Sequence, residues 1–324
     1  MGIVNLNRFL IDNCKKTSIH KQPLSSLKNK TIVIDTSIYL YKYTAQNGLF
    51  ENFYTMISLF REYEIIPIFV FDGKPPPEKY ELLRARKIEK QDAEQQYKIL
   101  QLQMESDKDN ITPEQKKEFQ NELDLLKTRF IRIRYSDIMM VKRLMNAYGV
   151  TFYDACGEAD QVCAAMVLSG KAWACMSDDM DMLVYGCSHV IRHFSIANKN
   201  VLVYHIDPIL SDLKMDMDTF RKVAVLSGTD YNIDLQTSLV KTMKWYEEYI
   251  GQEHKEAIDF YSWLLKTTKY IKDYDKLLST IELFQLDASV FDEIARLGNI
   301  TYKEYDSEEL HKIMAEDGFV FAKT

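Results

Sequence analysis

A chain of 324 residues with 46% hydrophobic and 12% aromatic content has ample material for a packed core. Five scattered cysteines without a CxxC pair argue against a zinc knuckle or a disulfide framework, and no run approaches the roughly eighteen apolar residues that span a bilayer. The net charge of -7 excludes a uniformly basic surface but leaves room for basic stripes wherever acids are gathered elsewhere. The start, Met-Gly with Leu6 at position six, carries neither a signal-peptide core nor a myristoylation pattern, so an intracellular, thiol-reducing setting is expected.

In chain order, TIVID from Thr31 reads as a strand ending at Asp35, followed by a helix start. Asn52 to Tyr63 has helical apolar spacing, and IIPIFVFDG gives a second strand ending at Asp72 before a Gly-Lys-Pro-Pro-Pro turn. Glu78 to about Ser106 and Pro113 to about Lys127, the latter capped by Thr112, predict two helices too polar all round for a core. The first carries a basic patch with Lys79, Arg84, Arg86, Lys87 and Lys90, which reads either as a binding surface or as a solvated face paired with Glu78, Glu81 and Glu89.

A helix over Asp137 to Tyr148 precedes GVTFYDA, a third strand that leads into GEADQVCAAMVLSGKAWACMSDDMD. That stretch sets Glu158 and Asp160 at a helix start, where acids also complement the dipole, and Asp178, Asp179 and Asp181 just after a strand over Ala172 to Met176. LVYG, SHVIRHF and VLVYHID read as further strands, and a helix over Asp218 to Leu226 runs into Asp230. From Lys241 on, aromatics at helical spacing predict amphipathic helices with those rings inward.

The alternation predicts an α/β fold: a mostly parallel central sheet with helices on both faces, an inserted helical pair, and a helical C-terminal region. Ligands of such sheets gather at the carboxyl ends of the strands, where Asp35 and Asp72 fall directly and Glu158, Asp160, Asp179 and Asp181 within a few residues. Neither GxGxxG nor GxxxxGK[ST] is present, which argues against a dinucleotide or P-loop site.

Carboxylates brought together repel, one pair at 4 Å by about 4 kcal/mol at an effective dielectric of about 20, so cations must compensate. All-oxygen ligation favours Mg²⁺, with Mn²⁺ as a substitute, and the acids suffice for two ions, the arrangement that suits phosphodiester hydrolysis. His189 and His193 offer a competing zinc reading, but in a strand residues four apart stand roughly 13 Å from each other.

The pieces MGI, IDTSIYLY, FVFDGKPPPEK, GEADQVCAAMV, DDMDMLVYG and LSGTDY, in that order over roughly residues 1 to 232, resemble the flap endonuclease/XPG family of structure-specific 5′ nucleases. The resemblance implies a PIN-like nuclease core, with Asp35, Asp72, Glu158 and Asp160 holding one metal and Asp179, Asp181 and Asp230 a second. It implies that Lys79 and Arg86 contact the scissile phosphate, that a base next to the cut stacks on Tyr41, and that Gly2 approaches the DNA. The helices from about 78 to 128 become an arch passed by a 5′ single strand, and the products carry 5′-phosphate and 3′-hydroxyl ends.

One departure follows Asp230: YNIDLQTSLVKTMKWYEEY holds no glycine before Gly251, where the family has a glycine-bearing helix-two-turn-helix hairpin. The expected organisation is therefore a nuclease core over 1–232 and a helical region with a divergent duplex-binding motif over 233–324. No sliding-clamp peptide is recognisable. The expected function is Mg²⁺-dependent 5′ flap endonuclease and 5′-3′ exonuclease action on branched or flapped DNA in replication, repair or recombination, in the nucleus or another site of replication. The alternatives are an RNA endonuclease on the same fold and a catalytically inactive nucleic-acid-binding module.

Overall fold

In the computed structural model the described residues are 3–106, 112–232, 237–252, 258–298 and 300–319. Their strands are β1 Ile19–Pro23, β2 Thr31–Asp35, β3 Ile66–Phe71, β4 Thr151–Asp154, β5 Ala174–Met176, β6 His189–Ser195 and β7 Asn200–His205. They form a sheet in the order β1-β7-β6-β5-β2-β3-β4. The five strands from β6 to β4 pair in parallel, while β7 runs antiparallel to β6 and to β1.

Strands covered on both faces must be apolar throughout, and β2 and β3 are. Their side chains alternate: Val33, Ile68 and Val70 enter one core, Ile32, Ile34, Phe69 and Phe71 the other. The first core lies under α1 Leu6–Asn13, α7 Ala159–Leu168, α8 Asp181–Tyr185, α9 Ile206–Leu213 and α10 Met217–Leu226; the second lies under α2 Thr36–Ala45, α3 Leu49–Glu62 and α6 Tyr135–Ala147. From β2 the chain crosses to β3 on one side and later to β5 on the other, which places a switch point at the carboxyl end of β2.

Between β3 and β4 stand α4 Tyr80–Ser106 and α5 Pro113–Arg129. They pack on each other through Leu100, Leu123 and Leu126, with Tyr97, Met104 and Phe119 around them, a small core separate from the two of the sheet. Thr112 caps α5 in a reciprocal box: its hydroxyl accepts from the Gln115 N–H at 3.3 Å and its own N–H donates to Gln115 Oε1 at 3.0 Å.

After α10 follow α11 Leu239–Ile250, α12 Phe260–Thr267, α13 Tyr274–Leu283, α14 Ala288–Ala295 and α15 Ser307–Glu316. The aromatics face inward as expected, with Tyr246, Phe260, Tyr261 and Trp263 buried in the first core. Helix α15 crosses to the second core, where Leu310, Ile313 and Met314 are buried and Arg143 of α6 pairs with Glu309 and Glu316. The way there passes Gly149, whose φ of +64° and 2.4 Å Cβ approach to the Lys303 carbonyl leave space only for glycine.

One element differs from expectation. LVYG is not a strand: Leu183 to Tyr185 belong to α8, which Gly186 stops at a φ of 94°. The Asp181 N–H bonds Asp179 Oδ1 at 3.0 Å and turns the chain into a helix that is buried along its whole length, which removes the periodic signal separating helix from strand. The strand expected over Ala172 to Met176 is shorter, and β1, with its polar IHKQP edge, gave no apolar pattern to read. No described helix is long and apolar enough to cross a membrane.

A candidate metal centre at the carboxyl end of the sheet

Asp35 ends β2 and caps α2, one oxygen accepting from the Ser37 N–H at 3.2 Å and the other from the Ser177 hydroxyl at 3.3 Å. Asp72 follows β3 and caps a different helix: its Oδ1 accepts from the Ala159 N–H of α7 at 2.8 Å, and its Oδ2 from the Ser37 hydroxyl. This reach depends on Gly73. Its N–H bonds the Gly157 carbonyl at 2.7 Å, and a Cβ there would sit 2.1 Å from the Ala155 carbonyl oxygen. The close approach brings Glu158 and Asp160, at the start of α7, to the same end of the sheet.

Ser177 follows β5 and bridges two acids, since its hydroxyl donates to Asp35 and accepts from the Asp179 N–H at 3.1 Å. Asp179 and Asp181 are 7% and 3% exposed, and Asp181 Oδ1 is buried without a hydrogen-bond partner among the described residues. Asp178 faces elsewhere: its carboxylate accepts from the His193 N–H at 2.9 Å and its carbonyl from Arg192 at 2.8 Å, so it fixes the irregular bend of β6. Asp230 lies beyond α10, and the Arg86 guanidinium reaches its Oδ2 at 2.7 Å.

Two cations from the start of the helical insertion thus meet the acids. Lys79 Nζ pairs with Glu158 Oε1 at 2.6 Å, and the Tyr231 hydroxyl donates to Glu158 Oε2 at 2.5 Å. Burial alone would push Lys79 down, but Glu158, Asp160 and Asp230 outweigh it and hold the ammonium above its ordinary value. Tyr41 is 44% exposed on α2, with Lys90 Nζ 4.8 Å above its ring. Gly2 lies outside the described residues.

The carboxylates respond to one another. Burial, then repulsion from Asp72 and Asp179, pushes Asp35 up to about 7. Asp160 is raised by burial and by Asp35, Asp179 and Asp72; Asp181 by burial, Asp179 and Asp230; Asp179 by burial, with Asp230 adding to it. These couplings, with Lys79 on Glu158, bring all seven expected acids into one electrostatic cluster.

Among the described residues no three such side chains form a ready-made coordination shell, and Lys79 and Arg86 engage two of the acids. The cluster nevertheless fits hard divalent cations: its donors are all oxygen, its buried charge exceeds what the two cations balance, and one buried Asp181 oxygen has no partner.

The two histidines expected to stay apart sit in different surroundings. His189 stacks on Trp173 at 4.4 Å and meets His205 edge-on at 4.9 Å, while His193 stands on the bend with a φ of 53°. Missing from the expected site were Ser37, Ser177 and Tyr231. Each adjoins a motif acid by one or two residues, but a lone hydroxyl has no spacing signal of its own.

Two family signatures match the chain, the XPG N-terminal domain over residues 1–93 and the XPG I-region over residues 149–230, together more than half of its length. The chain belongs to the flap endonuclease/XPG family. The first signature contains Gly2, Asp35, Tyr41, Asp72, Lys79 and Arg86, and the second Glu158, Asp160, Asp179, Asp181 and Asp230. Flap endonuclease 1 of Methanococcus aeolicus is 29% identical over 289 residues, which cover 81% of this chain and 84% of that one. Flap endonuclease 1 of Leishmania braziliensis is 29% identical over 257 residues, or 71% of this chain and 60% of that one, so the match spans about three-fifths of that relative. Among solved structures, the catalytic core of Rad2 in complex with DNA substrate has the same fold, with a TM-score of 0.67 over 97% of this chain and 95% of that one at 18% identity.

Proposed function

We propose that this chain is a structure-specific 5′ nuclease that hydrolyses phosphodiester bonds in branched or flapped DNA, as a flap endonuclease and 5′-3′ exonuclease in replication, repair or recombination. The observation that carries the reading is the seven-acid cluster at the sheet's carboxyl end, with Lys79 and Arg86 of the helical insertion already against it.

Asp35, Asp72, Glu158 and Asp160 would hold one Mg²⁺ and Asp179, Asp181 and Asp230 a second, with Mn²⁺ able to substitute. Such ions supply a more acidic water and neutralise charge on the phosphate. The chain's own residues do the rest. Ser37, Ser177 and the Ala159 N–H hold Asp35 and Asp72 in place. Lys79 and Arg86, cationic and next to the acids, stabilise charge on the scissile phosphate, and the accessible face of Tyr41 stacks the neighbouring base. In this proposal residues 1–232 carry the chemistry, α4 and α5 form the arch for a 5′ single strand, 233–324 meet the duplex, and Gly2 approaches the DNA. The protein then works inside the cell where DNA is copied.

An RNA substrate on the same fold is the second reading, favoured by the glycine-free stretch after Asp230, where a glycine-dependent hairpin for duplex phosphates is missing or rebuilt. A catalytically inactive binding module is disfavoured, because so many unbalanced buried carboxylates are costly without ions. End-labelled 5′-flap DNA, nicked duplex, single-stranded DNA and RNA, each with Mg²⁺ or EDTA, separate these readings. Flap cleavage that needs Mg²⁺ is expected. Cutting that persists in EDTA sinks the metal reading, and cutting of RNA alone sinks the replication role.

A further inference from the structure

Tyr231 touches both halves of the site. Its hydroxyl donates to Glu158 Oε2 at 2.5 Å, while the Lys79 ammonium that pairs with Glu158 Oε1 lies 4.7 Å over its ring. The ring is 8% exposed and is braced edge-on by Phe284 at 5.7 Å, just past α13, so the C-terminal helices set its position. The preceding residue, Asp230, holds Arg86. Residues 230 and 231 therefore contact both cations of the helical insertion and one acid of α7.

Resting on the nuclease reading above, we propose that Tyr231 is a positioning residue that holds Glu158 in a fixed orientation while Lys79 exchanges its carboxylate partner for the substrate phosphate. A divalent ion held by Glu158 would compete with Lys79 for its carboxylate, with or without DNA. Tyr231 keeps Oε2 throughout, so the carboxylate does not swing. The released ammonium remains over the same ring, held by the cation–π attraction, and stays inside the cleft instead of relaxing into water. One side chain thus serves the metal side through its hydroxyl and the phosphate side through its face.

The two contacts are separable. Tyr231→Phe removes the hydroxyl and keeps the ring; Tyr231→Met fills the space with neither. Mg²⁺ is titrated without DNA, by calorimetry and by the rise in Tm, and single-turnover cleavage of a 5′-flap DNA is followed across Mg²⁺ concentrations. Tyr231→Phe is expected to weaken Mg²⁺ binding about tenfold or more, the scale of losing a partner behind a metal ligand, and to raise the half-saturating Mg²⁺ of cleavage by the same factor, its saturated rate being the reference for the second variant. Tyr231→Met is expected to lose a further factor of about ten in that saturated rate.

An unchanged Mg²⁺ isotherm in Tyr231→Phe overturns the orienting role. Equal saturated rates in the two variants overturn the tether. If the parent chain binds Mg²⁺ yet leaves every DNA substrate intact, the nuclease reading fails by itself, and the isotherms still decide whether Tyr231 orients Glu158.

Discussion

Glu158 and Asp230 differ from Asp35, Asp160, Asp179 and Asp181 in what balances them. The first two each hold a cation, Lys79 and Arg86, in direct contact. The other four form no ion pair among the described residues, and burial with mutual repulsion raises all of them. The cleft is thus divided between acids that the chain neutralises itself and acids left for ions to neutralise.

The sharpest test removes one acid from each side. Asp181→Asn is expected to lower single-turnover cleavage at least about 10³-fold, while raising the Tm of the metal-free protein because a buried, repelled charge is gone. Glu158→Gln is expected to slow cleavage too, but to destabilise the protein by about 1–3 kcal/mol, since Lys79 is left without its partner. Cleavage assays and thermal scans check both. If the two variants move Tm in the same direction, the division is wrong.

Next in size, Lys79→Ala is expected to reduce the single-turnover rate about 10²-fold and yet tighten Mg²⁺ binding, because a competitor for Glu158 is lost. Opposite signs in the two assays are the signature. An unchanged rate in Lys79→Ala combined with Arg86→Ala removes both residues from the chemistry.

The unbalanced acids also predict a pH dependence. Asp35 titrates near 7 in the folded chain and near 3.8 when unfolded, so between those values the folded state binds more protons and stability falls as pH rises. Metal-free protein is expected to have a lower Tm at pH 8 than at pH 5, and Mg²⁺ to restore more of it at pH 8. Differential scanning calorimetry with and without EDTA tests this; an equal Mg²⁺ increment at both pH values contradicts it.

The smallest effects come from the framework. Gly73→Ala forces a methyl into the Ala155 carbonyl and is expected to cost about 1–3 kcal/mol and to weaken Mg²⁺ through Asp72. Ser177→Ala loses the hydrogen bonds to Asp35 and from the Asp179 N–H, about 1–2 kcal/mol together, with a modest rate change. Denaturant midpoints and Mg²⁺ titrations measure both.

Much of this could be read from the residues alone. Apolar, β-branched runs such as TIVID and IPIFVF read as strands covered on both faces, and an acid at or just after the end of each marks the sheet's carboxyl edge. What escaped were features without periodicity. Helix α8 is apolar on every side, so LVYG looked like a strand; β1 is a polar edge strand held by pairing with β7. Tyr231 was visible beside Asp230 but not its contact with Glu158, because residues 73 positions apart meet only through the fold. The reverse holds for Asp178. It stands in the same acidic run as Asp179 and Asp181, and a backbone N–H of β6 claims its carboxylate.

The return of α15 to the second core bears on how the chain reaches this state. Arg143 and Glu309 are 166 positions apart, and the Asp306 N–H bonds the Ala147 carbonyl at 2.8 Å to seat the helix beside α6. Contacts across so long a loop carry a large closure entropy and raise the chain's contact order. In the folded chain Leu310, Ile313 and Met314 share the second core with Leu144 and Met145, while the strands of the sheet end at residue 205. Residues 301–319 therefore close the second core against α6, a contact that covers apolar side chains and holds none of the seven acids.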